Sequence, residues 1–201
     1  MKQMNSDAVS PVVGVMLMLV VTIIIAAVVS AFAGGLGGSQ QKTPQATITA
    51  NPVIQAIANK ALSESYPTGF TAANGILFEN TGGDTFSLDG INIQLEGGGT
   101  KYTITWSDSF DTTATCLPDG IKSGKYFQKV GSSKSDKTIA PGDKFMFYAD
   151  GNYVYNGVKM LVWHPKGPKD GIGIPFGQKT GYMIIDKDSN KPMASGYVVF
   201  R

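Results

Sequence analysis

The sequence predicts an α+β protein in which one long apolar N-terminal helix precedes an antiparallel, β-sandwich-like domain. Three observations carry that expectation. No Asp, Glu, Lys or Arg stands between Ala8 and Gln41. Beyond that stretch the apolar residues recur with a period of two, as they do along half-buried strands. Gly, Pro, Asn and Asp then punctuate the alternating segments at short intervals, which is the chemistry of turns between short strands.

The helix comes first. Val12 to Ala33 is interrupted only by Gly14, Thr22 and Ser30. Its 22 residues would extend about 33 Å at about 1.5 Å per residue, the thickness of a hydrocarbon core. Most are Val, Ile, Leu or Phe, which together favour membrane insertion by about 4 to 8 kcal/mol. Pro11 suits the first turn, where its missing N–H costs nothing, and Ser10 suits the N-cap. The helix should therefore start at residue 10 or 11. Lipid tails are as apolar as Leu, so association of such helices depends on close packing of small residues. Thr22, Ala26, Ser30 and Gly34 recur every four residues, with Ala27 and Ala31 in an adjoining row, and both rows fall on one flank. These six are the candidate helix-packing residues.

Residues 34–44 read as a Gly-rich hinge, because Gly lowers helix stability and Gly/Ser stretches are flexible. They do not make a phosphate loop: they follow an apolar helix and lack the Gly-Lys-Ser/Thr ending.

From residue 45 to 201 the pattern is that of a β-rich outer domain. Strands are expected at 46–54, 75–80, 85–95, 100–106, 125–130, 144–149, 158–164, 181–186 and 196–200, with a short helix as a candidate over Ala56–Ser65. The alternation is plainest at Ile91, Ile93 and Leu95 against Asn92, Gln94 and Glu96. Many short strands with Gly-rich turns indicate two packed antiparallel sheets.

Composition excludes several functions. Of the seventeen basic side chains only Arg201 is an arginine, so the bidentate contacts that nucleic-acid recognition favours are almost absent. One cysteine, Cys116, permits no intramolecular disulfide and no multi-cysteine metal centre. One histidine, His164, offers no zinc pair, and no Gly-x-Ser-x-Gly or His-Glu-x-x-His motif is present. The reading is therefore of a protein that is not an enzyme and needs no cofactor or metal. Asp186-Lys187-Asp188-Ser189-Asn190 alternates oxygen ligands as a calcium loop does, but Lys191 and Tyr197 stand where Gly and Glu are needed, which favours a polar hairpin turn. Lys122, Lys125, Lys129, Lys134 and Lys137 face only Asp136 locally, which makes residues 122–137 either a basic patch or a solvated loop. No Asn-x-Ser/Thr sequon occurs, so N-glycosylation at standard sites is not expected.

Three segment types share the N-terminal hydropathy: a cleaved secretory signal, a permanent anchor, and a leader cut ahead of the apolar run. A secretory signal would be cut after Ala31-Phe32-Ala33, although this apolar stretch is longer than such signals usually are. The short leader Met1 to Ala8, followed by Val9-Ser10-Pro11-Val12-Val13-Gly14-Val15-Met16-Leu17-Met18, resembles the start of archaeal type IV pilins of the pilin N-terminal domain family, with a class III signal peptide. Asn80-Thr81-Gly82-Gly83-Asp84 and Ile139-Ala140-Pro141-Gly142-Asp143 resemble turn motifs of the same family's outer domains.

The resemblance implies a prepilin leader over residues 1–8, cut by a prepilin peptidase between Ala8 and Val9 on the cytoplasmic side. The leader departs from the family in placing Asp7 and Ala8 beside the cut, where a basic residue or Gly is usual. Residues 9–33 then remain as a transmembrane and filament-core helix. It further implies identical pilin subunits as partners in a helical polymer, driven by an assembly ATPase and a membrane platform protein. Membrane lipid surrounds the helix before assembly, and the location passes from cell membrane to extracellular pilus, with adhesion as its use. The alternative from another class is a secreted or membrane-anchored β-sandwich binding module that does not polymerise.

Overall fold

A computed structural model describes residues 11–36, 42–61, 63–110, 116–122, 124–133, 135–166 and 171–201. The chain divides into two units, Met1–Gln41 and Lys42–Arg201. In the first, helix α1 occupies Pro11–Leu36; the residues just before Pro11, where the sequence predicts the N-cap, lie outside the described residues. It runs on through Gly34, Gly35 and Leu36, three residues into the stretch read as hinge; residues 37–41 lie outside the described residues, as do Ala8, Val9 and Ser10.

Among its described residues the second unit holds thirteen strands. In chain order they are β1 (Ala46–Val53), β2 (Gly75–Gly83), β3 (Phe86–Ser87), β4 (Ile91–Gly97), β5 (Thr100–Thr105), β6 (Phe127–Lys129), β7 (Thr138–Ile139), β8 (Lys144–Tyr148), β9 (Gly151–Tyr155), β10 (Val158–Trp163), β11 (Ile172–Pro175), β12 (Lys179–Asp186) and β13 (Pro192–Val199). A four-residue helical turn, α2, covers Asp119–Lys122. The two expected antiparallel sheets are present, in the orders β1-β2-β8-β6 and β13-β12-β4-β5, but a third sheet, β11-β10-β9, and a two-stranded ribbon, β3-β7, accompany them. Every pairing is antiparallel.

Aromatic side chains join the sheets. Phe78 of β2 stacks on its cross-strand neighbour Phe145 of β8 at 5.1 Å and meets Tyr182 of β12 edge-on at 5.2 Å, which ties the first sheet to the second. Phe147 of β8 stacks on Trp163 of β10 at 5.6 Å, which ties the first sheet to the third. All these rings except Tyr182 are fully buried, and each is worth about 1.5 to 3 kcal/mol in area removed from water.

Several boundaries differ from the expectation. The single strand read over 85–95 is interrupted by a 3-10 turn at Leu88–Gly90, where Ser87 Oγ donates to Asp89 Oδ1 and Leu88 turns fully into the core. No helix forms over Ala56–Ser65 among the described residues; instead Glu64 folds back, its Oε2 accepting the Ala61 N–H at 2.7 Å. Strands β9 and β11 were not expected at all. β9 and β10 form a hairpin about Asn156 and Gly157, whose φ values of 49° and 79° match the type I′ turn that Asn-Gly favours.

Candidate functional site

Helix α1 is apolar on every face, and every residue from Val12 to Ala33 is exposed, none of that span being buried within the protein. Val15, Leu17 and Ile23 are 66%, 63% and 59% exposed. A soluble domain would leave no such cylinder in water, since contiguous apolar surface of this extent marks an interaction site. The one hydroxyl near its middle is masked, Thr22 Oγ1 donating to the Leu19 carbonyl at 2.9 Å, which satisfies a polar group without a partner outside the helix. Thr22, Ala26 and Ser30, with Ala27 and Ala31 beside them, are exposed on this surface, and the backbone of Gly34 continues the helix.

Inside the β domain, Asp150 gathers polar contacts from several segments of the chain. Its Oδ2 accepts the Tyr126 hydroxyl at 2.5 Å and the His164 backbone N–H at 3.0 Å, and its Oδ1 lies 3.1 Å from His164 Nδ1. The Cys116 thiol donates to its carbonyl at 2.9 Å. Next to it, Asn152 N–H donates to Tyr66 Oη, whose hydroxyl returns to the Asn152 carbonyl, while Asn152 Oδ1 accepts the Ala58 N–H. Burial, then the Asp150 charge, raises the Tyr126 phenol well above its ordinary value. Burial likewise pushes the Cys116 thiol up to about 11, so it stays protonated at neutral pH and is a poor nucleophile. Each of these groups faces another protein group, and the cluster works as polar structure inside the core. No group of three or more metal-ligating side chains occurs among the described residues.

The two turn motifs picked out in the sequence meet in space. Asn80 N–H donates to the Asp143 carbonyl at 3.0 Å, and Gly142 N–H to the Asn80 carbonyl at 2.7 Å. Asp84 Oδ2 accepts the Gln45 N–H, and Asp143 Oδ2 the Ala140 N–H. Gly83 has φ 93°, and a Cβ there would stand 2.1 Å from the Gln45 carbonyl oxygen, so only glycine fits. The junction continues the β2–β8 pairing just beyond its last pair, Glu79 and Lys144.

The lysines of 122–137 are not a free basic patch. Lys129 pairs with Asp136 at 3.2 Å and Asp143 at 2.8 Å, and Lys137 pairs with Asp89 at 2.8 Å. Lys125 donates to the Ser107 carbonyl; Lys134 and the Lys122 side chain lie outside the described residues. Hydrogen bonds from Lys137 and Ser87 hold the Asp89 carboxyl below the usual carboxylate range, and one from Lys129 does the same for Asp143. The Asp186–Asn190 segment forms a polar turn between β12 and β13: Asp186 Oδ2 accepts the Ser189 N–H at 2.8 Å and Asn190 takes φ 53°.

Among the described residues, the chain thus combines one apolar helix of membrane-spanning length with an antiparallel β domain. Residues 7–48 match the family model described as archaeal type IV pilin, N-terminal. The match covers α1 and the first residues of β1, and this similarity to archaeal type IV pilins supports a pilin-like structural subunit. No curated protein matches the chain.

Proposed function

We propose that this protein is a structural subunit of an archaeal type IV pilus of the adhesion type and has no enzymatic role. The prepilin peptidase removes residues 1–8 between Ala8 and Val9, and the exposed helix then leaves the bilayer to pack against identical helices. The assembly ATPase and platform protein drive that transfer, and the β domain ends on the filament surface, where it makes contact with substrata. The observation that supports this best is a 22-residue helical span that is apolar on every face and free of charge, lying within the stretch that matches the pilin N-terminal family. Such a helix is stable only in lipid or in a bundle.

In the bundle the small-residue flank of Thr22, Ala26, Ala27, Ser30, Ala31 and Gly34 lets backbones approach. Replacing Ala26→Leu together with Ser30→Leu keeps the helix apolar, so membrane insertion persists, while filaments disappear from cells viewed by electron microscopy. Normal filaments in that double variant would refute the assigned packing flank.

A further inference from the structure

Helix packing leaves two features of the β domain unused, an exposed apolar hairpin tip and an apolar groove. In the third sheet, register sets Val158 opposite Tyr155, and sets Met160 opposite both Tyr153 of β9 and Pro175 of β11. Cross-strand partners share a face, so these five side chains lie together with no charge among them. The other face, with Leu161, Trp163 and Ile174, is the buried one. At the base of the outer face Val162 is covered, the Tyr66 hydroxyl lying against the neighbouring Gly151. Toward the tip that cover ends: Tyr153, Met160 and Pro175 are half-buried, while Tyr155 and Val158 are 58% and 43% exposed. The tight turn at Asn156 and Gly157 holds these last two side by side, so little ordering remains when a partner arrives. The groove, of about 470 Å³, lies between β1 and β13, which pair with β2 and β12 but not with each other. Ala50, Pro52 and Ile54 line it from one side and Val199 and Arg201 from the other.

Chemistry and size match the tip to the groove. Pro52 has no N–H with which to add a strand at this edge, so the groove suits inserted side chains. Its volume is that of a small-molecule site, enough for one or two of them. Arg201, the only arginine of the chain, offers the flat cation that stacks on a tyrosine ring. Area decides who brings the tip. Its exposed surface is on the order of 300 Å², well below the about 800 Å² per partner of a stable free complex. A contact so small is retained only between chains already held side by side, where the effective concentration is high. A lipid surface is disfavoured, because it selects clusters of lysines and this hairpin carries only Lys159, which register pairs with Val154 away from the tip's apolar face. We propose that the β9-β10 hairpin tip, Tyr155 with Val158, seats in the β1/β13 groove of a neighbouring copy of this chain. Tip and groove are different patches, so the contact is heterologous and repeats from copy to copy.

The contact rests on the filament reading above for the array that holds copies together, and the test separates the two. Val158→Cys and Pro52→Cys are combined in the full-length chain on cells, where Cys116 is buried and stays out of the reaction. Mild oxidation should give a ladder of disulfide-linked chains on a non-reducing gel. Either cysteine alone should give none, and neither should Val158→Cys combined with Thr103→Cys, an exposed position on another sheet. Tyr155→Ser should still form filaments, since α1 is untouched, but these should lose subunits about tenfold faster in detergent, with the unfolding midpoint of the β domain unchanged. No ladder from a strain that makes filaments, or an equal ladder from the Thr103→Cys pair, would overturn the proposal. Dimers from Val158→Cys alone would overturn it too, by bringing tip to tip, as would cross-links to a different protein identified by mass spectrometry. A wild-type chain that makes no filaments refutes the filament reading instead; the same cysteine pair, oxidised in isolated membranes, then decides the contact by the presence or absence of the ladder.

Discussion

Helix α1 and the β domain treat their apolar side chains in opposite ways. In the β domain, Phe78, Phe127, Phe145, Phe147 and Trp163 are fully buried. In α1, Val, Ile, Leu and Phe face outward at 44–66% exposure, and the helix has no charge to keep it in water. One region completes its own core; the other has a surface whose free energy is lowered only by lipid or by other helices. The difference teaches that stability and assembly are separable properties here, carried by different residues. Substitutions in either region should leave the other's readout untouched.

The largest effect expected is in the aromatic core. Phe147→Ala removes the ring that joins Phe127 and Trp163, and should cost about 3 to 5 kcal/mol of folding stability, measured by denaturant unfolding, with the chain still extracted in the membrane fraction. A comparable loss, about 3 to 5 kcal/mol, is expected for Asp150→Ala, which strands the Tyr126 hydroxyl and the His164 N–H in the interior; Tyr126→Phe should lose less. The reverse experiment is Ile23→Lys, which makes insertion about 3 to 4 kcal/mol less favourable. Carbonate extraction should then release part of the protein, while the unfolding midpoint of the β domain stays put. Unfolding shifted by Ile23→Lys, or membrane retention shifted by Phe147→Ala, would break the separation.

A smaller effect follows from the ion pairs at the edge of the β domain. Asp89, Asp136 and Asp143 have carboxyls held below their ordinary values, Asp89 by hydrogen bonds from Lys137 and Ser87, Asp136 by Ser132 first and Asp143 by Lys129. A depressed folded value means that the stabilisation is complete above the unfolded carboxylate range, about 4, and is lost as pH falls through the folded values. The melting temperature should therefore hold from neutral pH to about 5 and drop below about 4. Lys129→Met should flatten that drop. The smallest signal is chemical: Cys116, buried and with its thiol pushed up to about 11, should resist iodoacetamide in folded protein and react once the domain is unfolded.

The helix was legible because its signal is local: a charge-free run needs no partner to be recognised. Strands β1, β2, β4, β5, β8, β10 and β12 were legible from alternation and turn residues. β9 was not, since Asn152 sits among its apolar residues and is buried by hydrogen bonds to Ala58 and Tyr66, segments far away in the chain. The break at Leu88–Gly90 has a sequence signal that the single-strand reading passed over: the apolar positions shift from even, Phe86 and Leu88, to odd, Ile91, Ile93 and Leu95, which one uninterrupted strand does not allow. The lysines of 122–137 looked unopposed because two of their partners, Asp89 and Asp143, lie outside that segment. Asp150 gave no local sign for the same reason: what gives it weight, Tyr126 and His164, is assembled by the fold. Gly82-Gly83 and Pro141-Gly142 were visible as turns, but their pairing through Asn80 is tertiary.

The N-terminal residue of the natural protein tests the central claim most directly. Mass spectrometry of filaments sheared from cells should find chains beginning at Val9, with α1 intact. A water-soluble monomer beginning at Gly34, free of the apolar helix, would contradict the account.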